Sequence, residues 1–181
     1  MSLGFKKISP GGHWMNIAAI AAEKGKLGFD NEVNVLTIEA LTLMDAFISC
    51  WDEKYRSNRI RPETAIRQYI DPTWMPLLQT PPFPEYLSGH STVSAASATI
   101  LTHFFGDNFS FVDSAEINYG LAPRAFTSFH AAAKEAAISR FHGGIHFMDA
   151  IDNGFTQGER VGEWIIRKTA VAGERASVAK K

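Results

Sequence analysis

Pro81-Pro82-Phe83-Pro84-Glu85-Tyr86-Leu87-Ser88-Gly89-His90 is the stretch around which this chain is organised. Three prolines in close succession keep it out of any helix interior. Directly after it, Ser-Thr-Val-Ser-Ala-Ala-Ser-Ala-Thr-Ile-Leu-Thr-His-Phe-Phe (Ser91 to Phe105) reads as one helix, stopped by Gly106. A stiff loop therefore delivers Ser88, Gly89 and His90 to a helix N-terminus. Unpaired N–H groups, the positive end of the helix dipole, a hydroxyl donor and a glycine that admits close backbone approach make an anion site there. His90 adds a side chain that titrates near neutrality.

Working outward, the pattern is helical on both sides. Trp14 to Lys24 reads as a short helix closed by Gly25, with His13 as a local capping or packing residue. A longer helix is expected from about Asn31 to Tyr55 with Asp30 as N-cap. Val33, Leu36, Ala40, Met44, Phe47, Trp51 and Tyr55 recur at three- and four-residue steps, which predicts a central core helix buried on that face. Pro62 ends any helix before Arg61, and Pro62 to Ile70 forms a further short helix. Asp71 to Trp74 is a turn, and Met75 to Tyr86 an extended connection. Asp107 to Pro123 reads as irregular, the alternation of Phe109, Phe111 and Val112 being too short for a sheet. Ser128 to Phe141 and about His146 to Thr169 are helices separated by Gly143-Gly144. Gly154, Gly158 and Gly162 recur every fourth residue, which lets a neighbouring helix approach closely. The expectation is an all-α helical bundle. One domain spans 1–172, and 173–181 is a frayed tail.

Composition narrows the function. A net charge of −1 offers no global field for nucleic acid or an anionic membrane, so any anion preference is local. The single cysteine, Cys50, precludes an internal disulfide and sits on an apolar run as a buried thiol. No uninterrupted run of 18 apolar residues is present, so no membrane span is expected, and Met1 to Lys7 lack the core of a signal peptide. The compartment stays open.

Three polar groups stand at element ends beside Gly or Pro breaks: Lys54 with Arg61-Pro62, Ser88-Gly89-His90, and Ser139-Arg140 followed by His146. Each alone is compatible with solvated charge at a helix terminus. Together they supply the forks and point charges that converge on a tetrahedral anion.

Lys54-Tyr-Arg-Ser-Asn-Arg-Ile-Arg61-Pro62, Ser88-Gly89-His90 and Ser139-Arg140-Phe-His-Gly-Gly-Ile-His146 resemble the three-part signature of the type 2 phosphatidic acid phosphatase and vanadium-dependent haloperoxidase superfamily. The surrounding residues are similar to the bacterial haloperoxidase-like branch, from about Ser9 to Trp164. The resemblance implies that Lys54, Arg61 and Arg140, with the Ser88 hydroxyl and Gly89 N–H, hold vanadate or phosphate oxygens. It implies that His146 is the vanadium ligand of a peroxidase or the nucleophile of a phosphatase, with His90 as the acid–base group. Trp51 and Phe83 match positions lining the halide side of the pocket, or are core. Asp149 stands one residue before the position (Ala150) where many members carry the Asp that orients the last histidine, and Leu87 replaces a common proline. Family haloperoxidases usually carry a longer N-terminal helical region; without it the chain is a short homologue or a C-terminal half, with an exposed face that favours self-association.

Three functions follow from the resemblance. The first is vanadate-dependent oxidation of halide by hydrogen peroxide. The second is acid hydrolysis of a phosphate ester through a phosphohistidine, needing no cofactor. The third is a non-catalytic oxyanion-binding bundle.

Overall fold

The computed structural model describes residues 8–169; the Met1 to Lys7 lead-in and the 173–181 tail lie outside them. In chain order the elements are α1 (Pro10–Lys24), α2 (Phe29–Ser57), α3 (Pro62–Tyr69), α4 (Gly89–Phe105), β1 (Phe111–Asp113), a 3-10 turn (Ile117–Tyr119), β2 (Arg124–Phe126), α5 (Phe129–His142) and α6 (Met148–Thr169). The all-α expectation holds, with one small hairpin added.

The centre is α4, the helix launched by the proline loop. Its run of Ala, Ser and Thr lets helices come close on several sides, and it packs against α6, α5, α2 and α1. Ile100, Leu101, Phe104 and Phe105 are buried together with Trp14, Ile17, Val35, Phe111 and Phe129. Each side chain of this size stabilises the fold by roughly 1.5–3 kcal/mol relative to exposure. The four-residue glycine spacing on α6 is explained by the same contact. A Cβ at Gly158 would overlap the Thr92 carbonyl oxygen, and one at Gly162 would come within 2.7 Å of Thr99 Cβ. These glycines set the α4–α6 distance.

The face predicted for α2 needs correction. The helix buries Val35, Ile38, Glu39, Thr42, Leu43, Ala46, Cys50 and Lys54, whereas Val33, Met44 and Tyr55 are exposed. Both faces are apolar in pattern, and the one chosen by the fold also carries three polar residues. One of these, Glu39, is fully buried between helices. Neither of its oxygens has a hydrogen-bond partner, and burial pushes its pKa up to about 8, with Ser97 alongside working against the rise. The N-terminus of α2 also starts earlier than expected, capped at Gly28 rather than Asp30.

By length and composition, Phe29–Tyr69 contains a window apolar enough to cross a membrane, 39% of it buried inside the bundle. The expectation drawn from the absence of an unbroken apolar run therefore rests on this stretch being the bundle's own core helix.

One correction concerns the region after α4. Residues expected to be irregular form an antiparallel hairpin with Phe111 opposite Phe126 and Asp113 opposite Arg124. Phe111 packs on Phe126 and Phe129, so two aromatic contacts hold strands too short to be read from alternation. Of the two readings of His13, capping falls to Ser9, and His13 packs instead: its Nε2 meets Asp113 at 2.7 Å and its Nδ1 meets Glu116 at 3.2 Å, tying α1 to the hairpin.

Candidate active site

The proline loop is held by cations. Lys54, in the last turn of α2, is fully buried, and its Nζ donates to the carbonyls of Pro84 (3.0 Å), Glu85 (2.9 Å) and Leu87. Arg61 caps α3 and spreads its fork over the Phe83 carbonyl (3.0 Å), the Pro84 carbonyl (3.2 Å) and the Ile145 carbonyl (2.8 Å). Proline supplies rigidity but no N–H, so these carbonyls have few competing partners and point at the buried cations. Burial pulls Lys54 down to about 8 and Arg61 to about 10; the charge of Arg61 adds to the first shift and that of Arg140 to the second.

The aromatic residues singled out from the sequence pack on the same cations. The Trp51 and Phe83 ring centroids lie 5.1 Å apart. Lys54 Nζ sits 5.5 Å from the Trp51 ring and 5.3 Å from the Phe83 ring, and the Arg61 guanidinium 5.1 Å from Phe83. A Cβ on Gly89 would touch Trp51 at 3.2 Å, so the glycine gives the indole its seat against the start of α4.

Ser88 is the N-cap of α4. Its buried hydroxyl oxygen accepts from the Ser91 N–H at 3.3 Å, which leaves the hydroxyl proton as a donor. The helical ladder begins with Thr92 N–H donating to the Ser88 carbonyl, so the Gly89 N–H lies ahead of it.

His146 is the most tightly specified side chain of the group. It is buried, with Nδ1 2.7 Å from Glu85 Oε1 and Nε2 3.1 Å from Arg61 Nη1. Burial pushes its pKa down to about 4, helped by Arg61 and Lys54 and opposed by Glu85. The imidazole is therefore neutral at neutral pH. A carboxylate accepts only, so Nδ1 carries the proton and Nε2 presents its lone pair toward the cations. That tautomer is the one a metal ligand or a nucleophile requires.

Glu85 is the functional residue that sequence reasoning missed. It is fully buried and receives the Phe147 N–H (3.0 Å) and Arg59 Nε (2.7 Å) as well as His146. Burial pushes its carboxyl up, but the bonds from His146, Phe147 and Arg59 outweigh that and hold it below the usual carboxylate range. The signal that could have found it is a lone acid inside an apolar proline loop. Asp149, expected to orient His146, instead binds Arg59 through both oxygens (2.5 and 2.9 Å). Its influence reaches the histidine through Arg59 and Glu85.

His90 and Arg140 line one cavity of about 320 Å³, with Ser94, His13, Asp113 and Phe126 among its other walls. Lys54, Arg61, Ser88, Gly89 and His146 are not among its walls; Arg140 is near enough to Arg61 for its charge to help lower that guanidinium's pKa, and Arg61 touches His146. Burial holds Arg140 itself below the ordinary guanidinium range. Its Nε is buried without a hydrogen-bond partner, an orphaned cationic donor of the kind an anion satisfies. Among the described residues no group of three or more His, Cys, Asp or Glu could hold a simple cation. The donor set, cationic with one neutral imidazole, suits a metal oxyanion. Vanadate fits it.

Comparison with known proteins agrees with this chemistry. A family model described as the VCPO second helical-bundle domain matches residues 34–73 and 70–172. Among solved structures, a bacterial vanadium-dependent iodoperoxidase is 57% identical with a TM-score of 0.89, over 92% of this chain and 40% of that one. A holo-type bacterial vanadium-dependent chloroperoxidase (20% identity, TM-score 0.72, 87% of this chain and 40% of that one) shares the fold. So does an apo-type one (20%, 0.70, 87% and 42%). The chain thus spans about two fifths of the length of these proteins. No curated protein matches it.

Proposed function

The chain belongs to the vanadium haloperoxidase superfamily, through its second helical-bundle domain, and from that premise we propose that it binds vanadate and oxidises halide with hydrogen peroxide. Iodide is the first halide to test, since the relative 57% identical to this chain is an iodoperoxidase. The observation that carries the reading is the neutral His146, clamped by Glu85 with Nε2 facing Arg61.

In this reading His146 Nε2 would ligate vanadium. Lys54, Arg61, Arg140, the Ser88 hydroxyl and the Gly89 N–H hold the oxygens. Bound vanadate supplies the Lewis-acid centre that activates hydrogen peroxide. To hold the anion, Lys54 and Arg61 would give up some of their present acceptors, the loop carbonyls and, for Arg61, His146 Nε2, and their burial would make each charge count for more than it would in water. His90, at the start of α4 on the cavity wall, would be the residue to take up and return a proton. Trp51 and Phe83 limit water at the cationic centre.

The test is reconstitution of the chain with orthovanadate and measurement of iodide and bromide oxidation by hydrogen peroxide. Activity that requires both vanadate and peroxide, and is lost in His146→Ala, is the expected result. Arg140→Ala is expected chiefly to weaken vanadate binding. Vanadate binding without oxidation of any halide would leave the chain an oxyanion-binding bundle. The same neutral imidazole also suits attack on phosphorus, so a phosphoesterase is the second reading. Vanadate-inhibited release of phosphate from a simple aryl phosphate would favour it.

A further inference from the structure

Arg59 stands between Lys54 and Arg61 on the link from α2 to α3, and its whole guanidinium is engaged with carboxylates. Asn58 closes α2 in the left-handed conformation (φ 48°), which asparagine tolerates better than most residues. Beyond that turn the chain runs beside the proline loop, where the Glu85 N–H donates to the Arg59 carbonyl at 3.0 Å. The side chain then returns to the same residue: Arg59 Nε and Nη2 meet Glu85 Oε2 at 2.7 and 2.5 Å. Its Nη1 and Nη2 also reach the two oxygens of Asp149, in the first turn of α6, at 2.5 and 2.9 Å. The guanidinium carbon lies 4.6 Å from the Tyr86 ring and 5.3 Å from the Phe147 ring, the immediate chain neighbours of Glu85 and His146. Burial works to lower the pKa of Arg59, but the bonds from Asp149 and Glu85 outweigh it and keep the group charged.

The two oxygens of Glu85 therefore have separate partners. Oε1 accepts from His146 Nδ1 (2.7 Å) and the Phe147 N–H (3.0 Å), while Oε2 accepts from Arg59. Glu85 is fully buried, and a buried carboxylate with one oxygen unpaired is costly. Such a group turns about its last bond or takes up a proton, and either change disturbs Oε1 as well. A planar fork on Oε2, itself pinned by Asp149 and two rings, fixes the plane of the carboxylate and so keeps Oε1 on Nδ1. We infer that Arg59 is a positioning residue for His146, acting through Glu85 to hold the imidazole in the tautomer with Nε2 unprotonated. Its value to the enzyme rests on the reading of His146 as the vanadium ligand, whereas its effect on the ring is present without vanadate. The competing role for Arg59 is a plain strap that ties the α2–α3 link to the start of α6.

Nitrogen-15 NMR of the histidine rings in the vanadate-free chain separates the two, with His146 identified by the loss of its signals in His146→Ala. The wild-type ring is expected to carry its proton on Nδ1, with that proton far downfield as a charge-assisted bond to a carboxylate requires. In Arg59→Gln the proton resonance is expected to move upfield, and vanadate affinity, read by fluorescence titration, to fall about 10-fold. Arg59→Lys, which restores the charge without the fork, is expected to recover part of both. The double variant Arg59→Gln/Glu85→Gln is expected to bind vanadate no more weakly than Glu85→Gln alone, because both changes act on one carboxylate. A strap gives losses that add. Additive losses overturn the inference, and so does an Arg59→Gln chain with wild-type ring signals and wild-type affinity. If circular dichroism shows that Arg59→Gln does not fold, Arg59→Lys is held to the same two criteria. Vanadate binding that survives in His146→Ala overturns the reading of His146 as the ligand instead, and the ring signals still decide for or against Arg59.

Discussion

Replacing Glu85 by Gln isolates the interaction on which His146 depends. The substitution keeps the volume of the side chain but removes its charge and turns one acceptor oxygen into a donor. In the folded chain His146 Nδ1, the Phe147 N–H and the Arg59 guanidinium all donate to that carboxylate. A glutamine can serve the His146 side or the Arg59 side, and its NH2 then opposes a donor on the other. Breaking a buried ion pair from one side costs roughly 3–5 kcal/mol, and the bonds that survive place this variant at about 3 kcal/mol. In a chain of 181 residues that lowers Tm by about 6–12 °C. Because Glu85 also fixes which nitrogen of His146 carries the proton, vanadate affinity falls by about 10- to 100-fold. Thermal unfolding and vanadate titration by fluorescence measure the two effects. Asp149→Asn is the control: Asp149 is half-exposed and acts through Arg59, so it should cost less than about 1 kcal/mol. A Glu85→Gln chain with unchanged Tm and unchanged vanadate affinity would refute the assignment of Glu85 as the orienting acid.

The other predictions concern proton linkage and helix packing. His146 has a folded pKa of about 4 against 6.5 unfolded, so the unfolded chain binds the extra proton between those values. Its contribution to stability is present above pH 6.5 and is lost as pH falls toward 4, at up to about 1.4 kcal/mol per unit. Glu39 runs the other way: its folded pKa of about 8 against 4.5 makes stability fall as pH rises from 4.5 to 8. The two slopes oppose each other between pH 4.5 and 6.5, and urea unfolding across that window should show only a shallow dependence before a decline above it. Glu39→Gln should remove the decline and raise stability at about pH 7 by about 3 kcal/mol, again read by urea unfolding. Gly158→Ala forces a methyl group into the Thr92 carbonyl and within 2.8 Å of Ala95 Cβ, and should destabilise the chain by roughly 3 kcal/mol in the same assay.

What could be read from the sequence was what short-range pattern encodes. The spacing of Lys54 from Arg61, of Ser88 from His90 and of Arg140 from His146 is local, and the Gly154, Gly158, Gly162 repeat reports directly on the α4 contact. The face of α2 was not legible, because hydropathy marks two apolar sides and gives no reason to bury Glu39 or Lys54 on either. Helical spacing points to Asp149, three residues on, as the partner of His146, whereas the fold brings Glu85 from 61 residues earlier. The same is true of His13 and Asp113, 100 residues apart. Side chains brought together by tertiary packing leave no mark in the spacing of either segment.

The central claim, that these separated side chains close around one vanadate with His146 as its protein ligand, is tested most directly by a crystal structure of the vanadate-loaded chain. The account predicts vanadium bonded to His146 Nε2, with Arg140 Nε donating to one of its oxygens. Vanadate found away from His146, or bound with Arg140 Nε still unpartnered, would contradict it.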